Sequence, residues 1–194
     1  MIDLYTWKSP NGRRPIVMLE ETGLPYKLIT VDPYGEFSKS AEYKKFSPGG
    51  KVPCLVDPEG PEGKQLALME SSAILLYLAE KTGKFGGTGP ANRWDVMRWL
   101  FYISTNVNVT FSCFRDAPAL EKPLRSMMTT LDTHLASNEY FAGAYSIADM
   151  AGILRFTNYA FDAIPLSEYP NIVRWRDQLM DRPAVKHAHT VQIA

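Results

Sequence analysis

Three short segments combine polar side chains with backbone features that suit a single kind of ligand. The first is Ser9-Pro10-Asn11-Gly12, set between a strand-like run and the start of a helix. A helix start offers unpaired amides and a partial positive charge, and Ser9 and Asn11 add neutral donors. Aimed at a sulfur, such donors favour the thiolate over a thiol of ordinary pKa about 8.5, and each unit of lowering corresponds to about 1.4 kcal/mol. The same residues also read as an ordinary turn with a helix cap. The second segment is Gly49-Gly50-Lys51-Val52-Pro53. A cis bond before Pro53 would turn the Val52 backbone outward, where an extended peptide ligand could pair with it as an added strand. Lys51 could meet a ligand carboxylate as a point charge, or be a solvated loop lysine. The third is Glu70-Ser71-Ser72, opening a helix. Ser71 and its amide suit a carboxylate and Glu70 suits an ammonium, which together match an amino-acid head. The alternative is a plain first turn capped by acid and serine.

The elements that must position these segments alternate over the first 85 residues. Ile2–Trp7 reads as a strand, a helix runs from about Arg13 to Thr22 with Pro15 in its first turn, and Gly23 stops it. Tyr26–Val31 is a second strand and Ala41–Phe46 a short helix. Val52–Asp57 is a third strand, in which Pro53 demands an edge position or a special bend. Gln65–Leu68 is a fourth strand, and Glu70–Thr82 is a helix with Ala73, Ile74, Tyr77 and Leu78 at helical spacing. Gly86-Gly87-Thr88-Gly89-Pro90 is a linker. Beyond it, helices are expected over Ala91–Phe114, Leu120–Ser137, Ser146 to about Ala163 and Asn171–Asp181, with a short last one after Arg182-Pro183. Ser146-Ile147-Ala148-Asp149 is a capping box in its Asp form. The second half is thus an all-helical bundle.

Three stretches, Phe46–Pro53, Leu68–Leu78 and Ser146–Asp149, together resemble the cytosolic glutathione S-transferases. Their order and spacing extend the resemblance over nearly the whole chain. Met1–Tyr5 with Ser9–Gly12 looks most like the Nu-class bacterial subgroup, which carries Thr-Pro-Asn at this place and reduces small disulfides and peroxides through bound glutathione. The resemblance implies an α/β thioredoxin-like domain over residues 1–84, with a mixed four-stranded sheet, a linker over 85–89 and an all-α domain over 90–194. It implies glutathione as co-substrate, held at its γ-glutamyl head by Glu70 and Ser71, at its cysteine backbone by Val52 before a cis Pro53, and near its glycine carboxylate by Lys51. Ser9 and Asn11 would donate to the sulfur. Tyr5 should point into the domain rather than serve the sulfur. A helical-domain arginine near glutathione is also implied, with Arg115 and Arg125 as candidates. Phe111, Phe114 and Arg115 are expected to wall the second-substrate pocket, although an aromatic stripe also reads as core. The implied activity is transfer of glutathione to electrophiles or reduction of small disulfides or peroxides. The alternative is a non-catalytic binding or dimerisation module of the same fold. A cytoplasmic homodimer is expected.

Composition agrees and excludes other classes. Lys and Arg number 21, as do Asp and Glu. The first 85 residues hold 11 of each sign and the remainder 10 of each. Neither half carries the positive surplus that nucleic acid or an anionic membrane would need. The uncharged run Trp99–Phe114 is too short and too polar to span a bilayer, and Met1–Tyr5 lacks the basic and apolar character of a signal peptide. Cys54 and Cys113 form no metal or dithiol motif. Cys54 is expected to be a buried structural thiol and Cys113 to lie near the second-substrate pocket. His187 and His189 are two apart, a spacing that does not share a helix face, so no metal is expected.

Overall fold

The computed structural model describes residues 1–114, 117–157 and 164–193. Strand β1 (Ile2–Thr6) alternates buried Ile2, Leu4 and Thr6 with the more exposed Asp3 and Tyr5, the period-two pattern of a sheet with two different faces. Helix α1 (Pro10–Thr22) begins three residues earlier than the sequence predicts, because Ser9 is its N-cap: the hydroxyl accepts from the Gly12 amide at 3.1 Å. Pro10, not Pro15, therefore fills the first turn, where a missing N–H costs nothing. Pro15 lies inside the helix and leaves the Asn11 carbonyl without its helical donor. Gly23 ends α1 in the left-handed conformation, φ 71°, as expected. Strand β2 (Tyr26–Thr30) follows, then two one-turn helices, α2 (Glu36–Lys39), which the sequence reading missed, and α3 (Ala41–Lys44).

Strands β3 (Cys54–Asp57) and β4 (Leu66–Met69) complete a four-stranded mixed sheet of order β2-β1-β3-β4. β1 runs parallel to β2, with Leu4 opposite Leu28. It is antiparallel to β3, with Tyr5 opposite Cys54, and β3 is antiparallel to β4, with Cys54 opposite Met69. β3 is an interior strand, so Pro53 is accommodated by a bend and not by an edge: the Val52–Pro53 bond is cis. Tyr5 turns into a small cluster with Val31, Tyr43, Cys54 and Phe46, its ring 5.7 Å from Tyr43 and 5.8 Å from Phe46. Cys54 is fully buried there, and burial pushes its thiol up to about 11.

Helix α4 (Ser71–Thr82) packs beside α1, and after Gly86–Gly89 the described chain is helical apart from one isolated bridge, Ala142 to Ala144. The single long helix expected over 91–114 is instead α5 (Pro90–Phe101), a π-helical stretch (Tyr102–Val107) and α6 (Asn108–Phe114). Hydroxyls in and beside that stretch bond back four residues, Ser104 to Leu100 O at 2.6 Å and Thr105 to Phe101 O at 2.9 Å. Such bonds compete with the helical ladder and bend it. Then come α7 (Glu121–Ala136), α8 (Ile147–Phe156), α9 (Pro170–Met180) and α10 (Pro183–Thr190). Of the helix expected from Ser146 to about Ala163, residues 158–163 lie outside the described residues.

Asp149 is fully buried at the start of α8. Its carboxylate accepts from Phe141 N, Ser146 N, Ser146 Oγ and Trp175 Nε1, at 2.9–3.1 Å. The capping box read from the sequence thus also ties α8 to α9. The large apolar core is continuous from Ile2 and Leu4 through Ile74 and Leu78 to Trp175 and Val185, so α8 and α10 press directly on α1. No helix is long and apolar enough to cross a membrane among the described residues.

Candidate active site

Topology brings the three polar segments to one end of the sheet. β1 runs toward Ser9, β4 runs toward Glu70, and β3, antiparallel to both, starts at that same end just after Val52-Pro53. The approach of α1 to β1 is tight. Thr6 Oγ1 donates to Gly12 O at 2.6 Å, and a Cβ added to Gly12 would lie 2.3 Å from the Trp7 carbonyl oxygen. This close approach holds Ser9 half-buried and Asn11 exposed at the helix start. Since Ser9 Oγ accepts from Gly12 N, its own hydrogen remains available to an incoming acceptor.

The Lys51 backbone is held by its neighbours. Its carbonyl accepts from Tyr43 OH and from Ser47 Oγ, both at 2.8 Å, and its N–H donates to Ser47 Oγ at 3.1 Å. The Lys51 side chain is left exposed. Val52 stands just beyond the paired part of β3, which starts at Cys54 opposite Met69.

Glu70 occupies φ 70°, ψ 113° at the N-cap of α4, and its side chain makes no capping bond. A non-glycine residue at positive φ stores strain, which clusters at ligand sites. Ser71 follows, buried, its Oγ accepting from Arg14 Nη1 at 3.1 Å.

Asn11, Glu70 and Ser71 line one cavity of about 200 Å³ between α1, α4 and the α5–α6 region. Ser9, Lys51, Val52 and Pro53 stand outside its lining. The opposite wall differs from the one the sequence predicts. Phe111 is 2 % exposed and stacks edge-on against Phe156 in the core, and Phe114 is buried with it. They continue the buried row of Ile103 and Val107 into the core at helical spacing. Asn108, Val109, Ser112 and Cys113 line the cavity in their place. Arg115 lies outside the described residues. Arg125 is held on α7 by Glu121 at 2.9 Å and Glu168 at 2.7 Å and is not on the cavity lining.

Among the described residues, Arg14 lines the cavity and Arg155 bonds to its lining residue Ser112, and neither was a sequence candidate. Arg14 is 2 % exposed. Burial, followed by the nearby charge of Arg155, lowers its pKa to about 9, so it is still charged at neutral pH. Arg155 Nη2 donates to Ser112 Oγ at 3.1 Å. The only sequence signal was the Arg13-Arg14 pair inside an apolar helix face. Arg13 is accounted for otherwise, donating to Ala188 O at 2.6 Å and Val191 O at 3.1 Å. Among the described residues no group of three or more His, Cys, Asp or Glu is placed to hold a metal ion.

Comparison with known proteins accords with this geometry. Residues 8–81 match the family model for the glutathione S-transferase N-terminal domain. The disulfide-bond oxidoreductase YfcG of Escherichia coli is 34% identical over 97% of this chain and 94% of its own length. YghU, another disulfide-bond oxidoreductase of E. coli, is 30% identical over 98% of this chain and 74% of its own. A glutathione transferase from Pseudomonas putida, solved with one glutathione disulfide bound per subunit, superimposes with a TM-score of 0.91 at 31% identity, covering 98% of this chain and 91% of that one. One from Burkholderia graminis, solved with two glutathione molecules per subunit, gives a TM-score of 0.91 at 29% identity, covering 97% and 87%. The likeness runs through both the sheet and the helical half, and on that ground the chain belongs to the glutathione S-transferase family.

Proposed function

We propose that this chain is a glutathione-dependent enzyme of the Nu-class type, which uses bound glutathione to reduce small disulfides or peroxides or to substitute electrophilic carbon. The observation that carries the reading is the meeting of Asn11, Glu70 and Ser71 on one cavity at the sheet end where Ser9 and Val52 also lie. In this reading residues 1–84 bind glutathione and residues 90–194 supply the second-substrate wall. Glu70 takes the ammonium of the γ-glutamyl head and Ser71 its carboxylate, Val52 pairs with the cysteine backbone, and Lys51 faces the glycine carboxylate. The chain offers no dithiol of its own, so the nucleophile is the ligand's sulfur, kept as thiolate by Ser9, Asn11 and the start of α1. With a disulfide substrate that thiolate bonds to one sulfur and expels the other as a thiolate, which takes a proton from water. A second glutathione thiolate then attacks the glutathione sulfur of the mixed disulfide, expels the remaining substrate sulfur as a thiolate that takes a proton from water, and leaves as glutathione disulfide. A cytoplasmic homodimer fits the same reading, supported by Trp94 and Phe101 on α5, which are 72% and 53% exposed; sedimentation as a monomer would overturn that part.

The test is turnover of a small neutral disulfide with glutathione, beside calorimetric binding of glutathione. The double variant Ser9→Ala, Asn11→Ala should lose about 100-fold in kcat/KM at neutral pH, two charge-assisted bonds' worth. It should recover at alkaline pH, where the thiol ionises unaided. Full activity in that variant would overturn the assigned roles, and glutathione binding without any turnover would indicate the non-catalytic module.

A further inference from the structure

The chain's two thiols differ in access. Cys54 is fully buried, its Sγ donating to Phe46 O at 3.4 Å. Cys113 is exposed, and it lines the cavity described above together with Asn11, the side chain assigned to the sulfur of glutathione. Val109 stands one helical turn before Cys113 on the same lining, as Asn108 does before Ser112. The thiol therefore belongs to the cavity face of α6 and not to the buried row of Phe111 and Phe114. The cavity carries a second, independent mark of a ligand site. Arg14 and Asn108, 2 % and 4 % exposed, are on its lining, and Arg14 Nε, Arg14 Nη2 and Asn108 Oδ1 are buried with no hydrogen-bond partner among the described residues. Buried polar atoms are ordinarily paired, so these atoms suit a polar ligand, and in the proposed reading that ligand is the γ-glutamyl head at Glu70 and Ser71. A sulfur held at Asn11 then shares a space of about 200 Å³ with the Cys113 thiol, close enough for the two sulfurs to exchange.

We propose that Cys113 is a modification site: its thiolate attacks glutathione disulfide bound in the cavity and becomes S-glutathionylated, which closes the site to further glutathione. Sγ bonds to one sulfur of the disulfide, the S–S bond breaks, and the other half leaves as glutathione thiolate, which takes up the proton that Cys113 gave up. Cys113 is oxidised and one glutathione is reduced. The oxidant is the product of the disulfide reduction proposed above, so the adduct builds up when glutathione disulfide outruns glutathione. Free glutathione thiolate reverses it by attacking the glutathionyl sulfur and expelling the Cys113 thiolate. This rests on the glutathione-dependent reading and adds a redox control to the same site.

The experiment treats the reduced protein with glutathione disulfide or with bis(2-hydroxyethyl) disulfide, which carries no glutamyl head, and follows adducts by intact mass and peptide mapping. A single glutathionyl group is expected on Cys113 and none on Cys54. Its rate should saturate with glutathione disulfide and exceed that with bis(2-hydroxyethyl) disulfide about tenfold at low concentration, the effect of holding the reagent in place. It should fall when S-methylglutathione, whose sulfur cannot exchange, competes for the cavity. Calorimetry with S-methylglutathione should show binding lost in the modified protein and regained after reduction, while Cys113→Ser given the same treatment should bind as it did before. An adduct on Cys54, a rate no higher than with the neutral disulfide, or unchanged S-methylglutathione binding in the modified protein overturns the proposal. If the untreated protein binds S-methylglutathione but Cys113 stays unmodified, the role of the thiol fails and the glutathione reading stands. If it binds neither S-methylglutathione nor glutathione disulfide, both fail.

Discussion

Replacing Glu70 by glycine, and separately by alanine, divides the two jobs this residue is assigned. Its backbone sits at φ 70°, ψ 113°, where an L side chain is strained by about 1–3 kcal/mol. Its side chain is exposed and makes no capping bond, so removing it costs the fold little beyond about 0.3–1 kcal/mol of helix-dipole interaction. Both variants lose that interaction. Only glycine relieves the strain, and it gives back about 0.4–1 kcal/mol through the freer unfolded chain. Glu70→Gly should therefore be more stable than Glu70→Ala by about 0.5–2 kcal/mol, or a few degrees in Tm for a chain of this size. Both should bind glutathione about tenfold more weakly, the loss of one solvent-exposed charged contact to an ammonium. Urea denaturation without ligand and calorimetry with glutathione measure the two effects. If Glu70→Ala is as stable as Glu70→Gly, the backbone strain argument fails. If either variant binds glutathione like the wild type, the ammonium role fails.

Two further outcomes follow from the geometry. Gly12→Ala would drive a Cβ to 2.3 Å from the Trp7 carbonyl; a loss of about 1–3 kcal/mol in stability is expected, with a fall in kcat/KM as Ser9 and Asn11 shift, and a crystal structure showing α1 unmoved would contradict it. Asp149→Ala would orphan the buried donors of Phe141, Ser146 and Trp175 and should cost about 3 kcal/mol or more at neutral pH. Burial raises the Asp149 carboxyl from 3.8 to about 6, so folding takes up a proton between those values. Its contribution is complete in acid and falls as the pH climbs through 6. Denaturation should thus show a deficit for Asp149→Ala about 1 kcal/mol larger at pH 5 than at pH 7.5, and equal deficits would refute the shift.

Features that depend on neighbours along the chain are legible in the residues alone. Strand alternation, the Gly23 stop, the Ser146–Asp149 capping box and the polar segments at Ser9, Val52 and Glu70 are local signals, and each stands where its spacing put it. Even so, the start of α1 was misplaced, because Pro10 and Pro15 both suit a first turn and only the Ser9 hydroxyl bond to Gly12 N chooses between them. The wall opposite Glu70, in contrast, follows from the packing of distant segments. Phe111 and Ser112 are adjacent in sequence; the first continues the buried row of Ile103, Val107 and Phe114, and the second lines the cavity. The aromatic stripe already read as core or as pocket wall, and only the packing of Phe111 against Phe156 decides for the core. Arg14 was illegible for a related reason. A charge on an apolar helix face reads as an exception until the fold shows that it is buried and that its Nη1 donates to Ser71. Burial and hydrogen-bond partners belong to the assembled chain, so the place of Arg14 on the cavity lining emerges only in three dimensions.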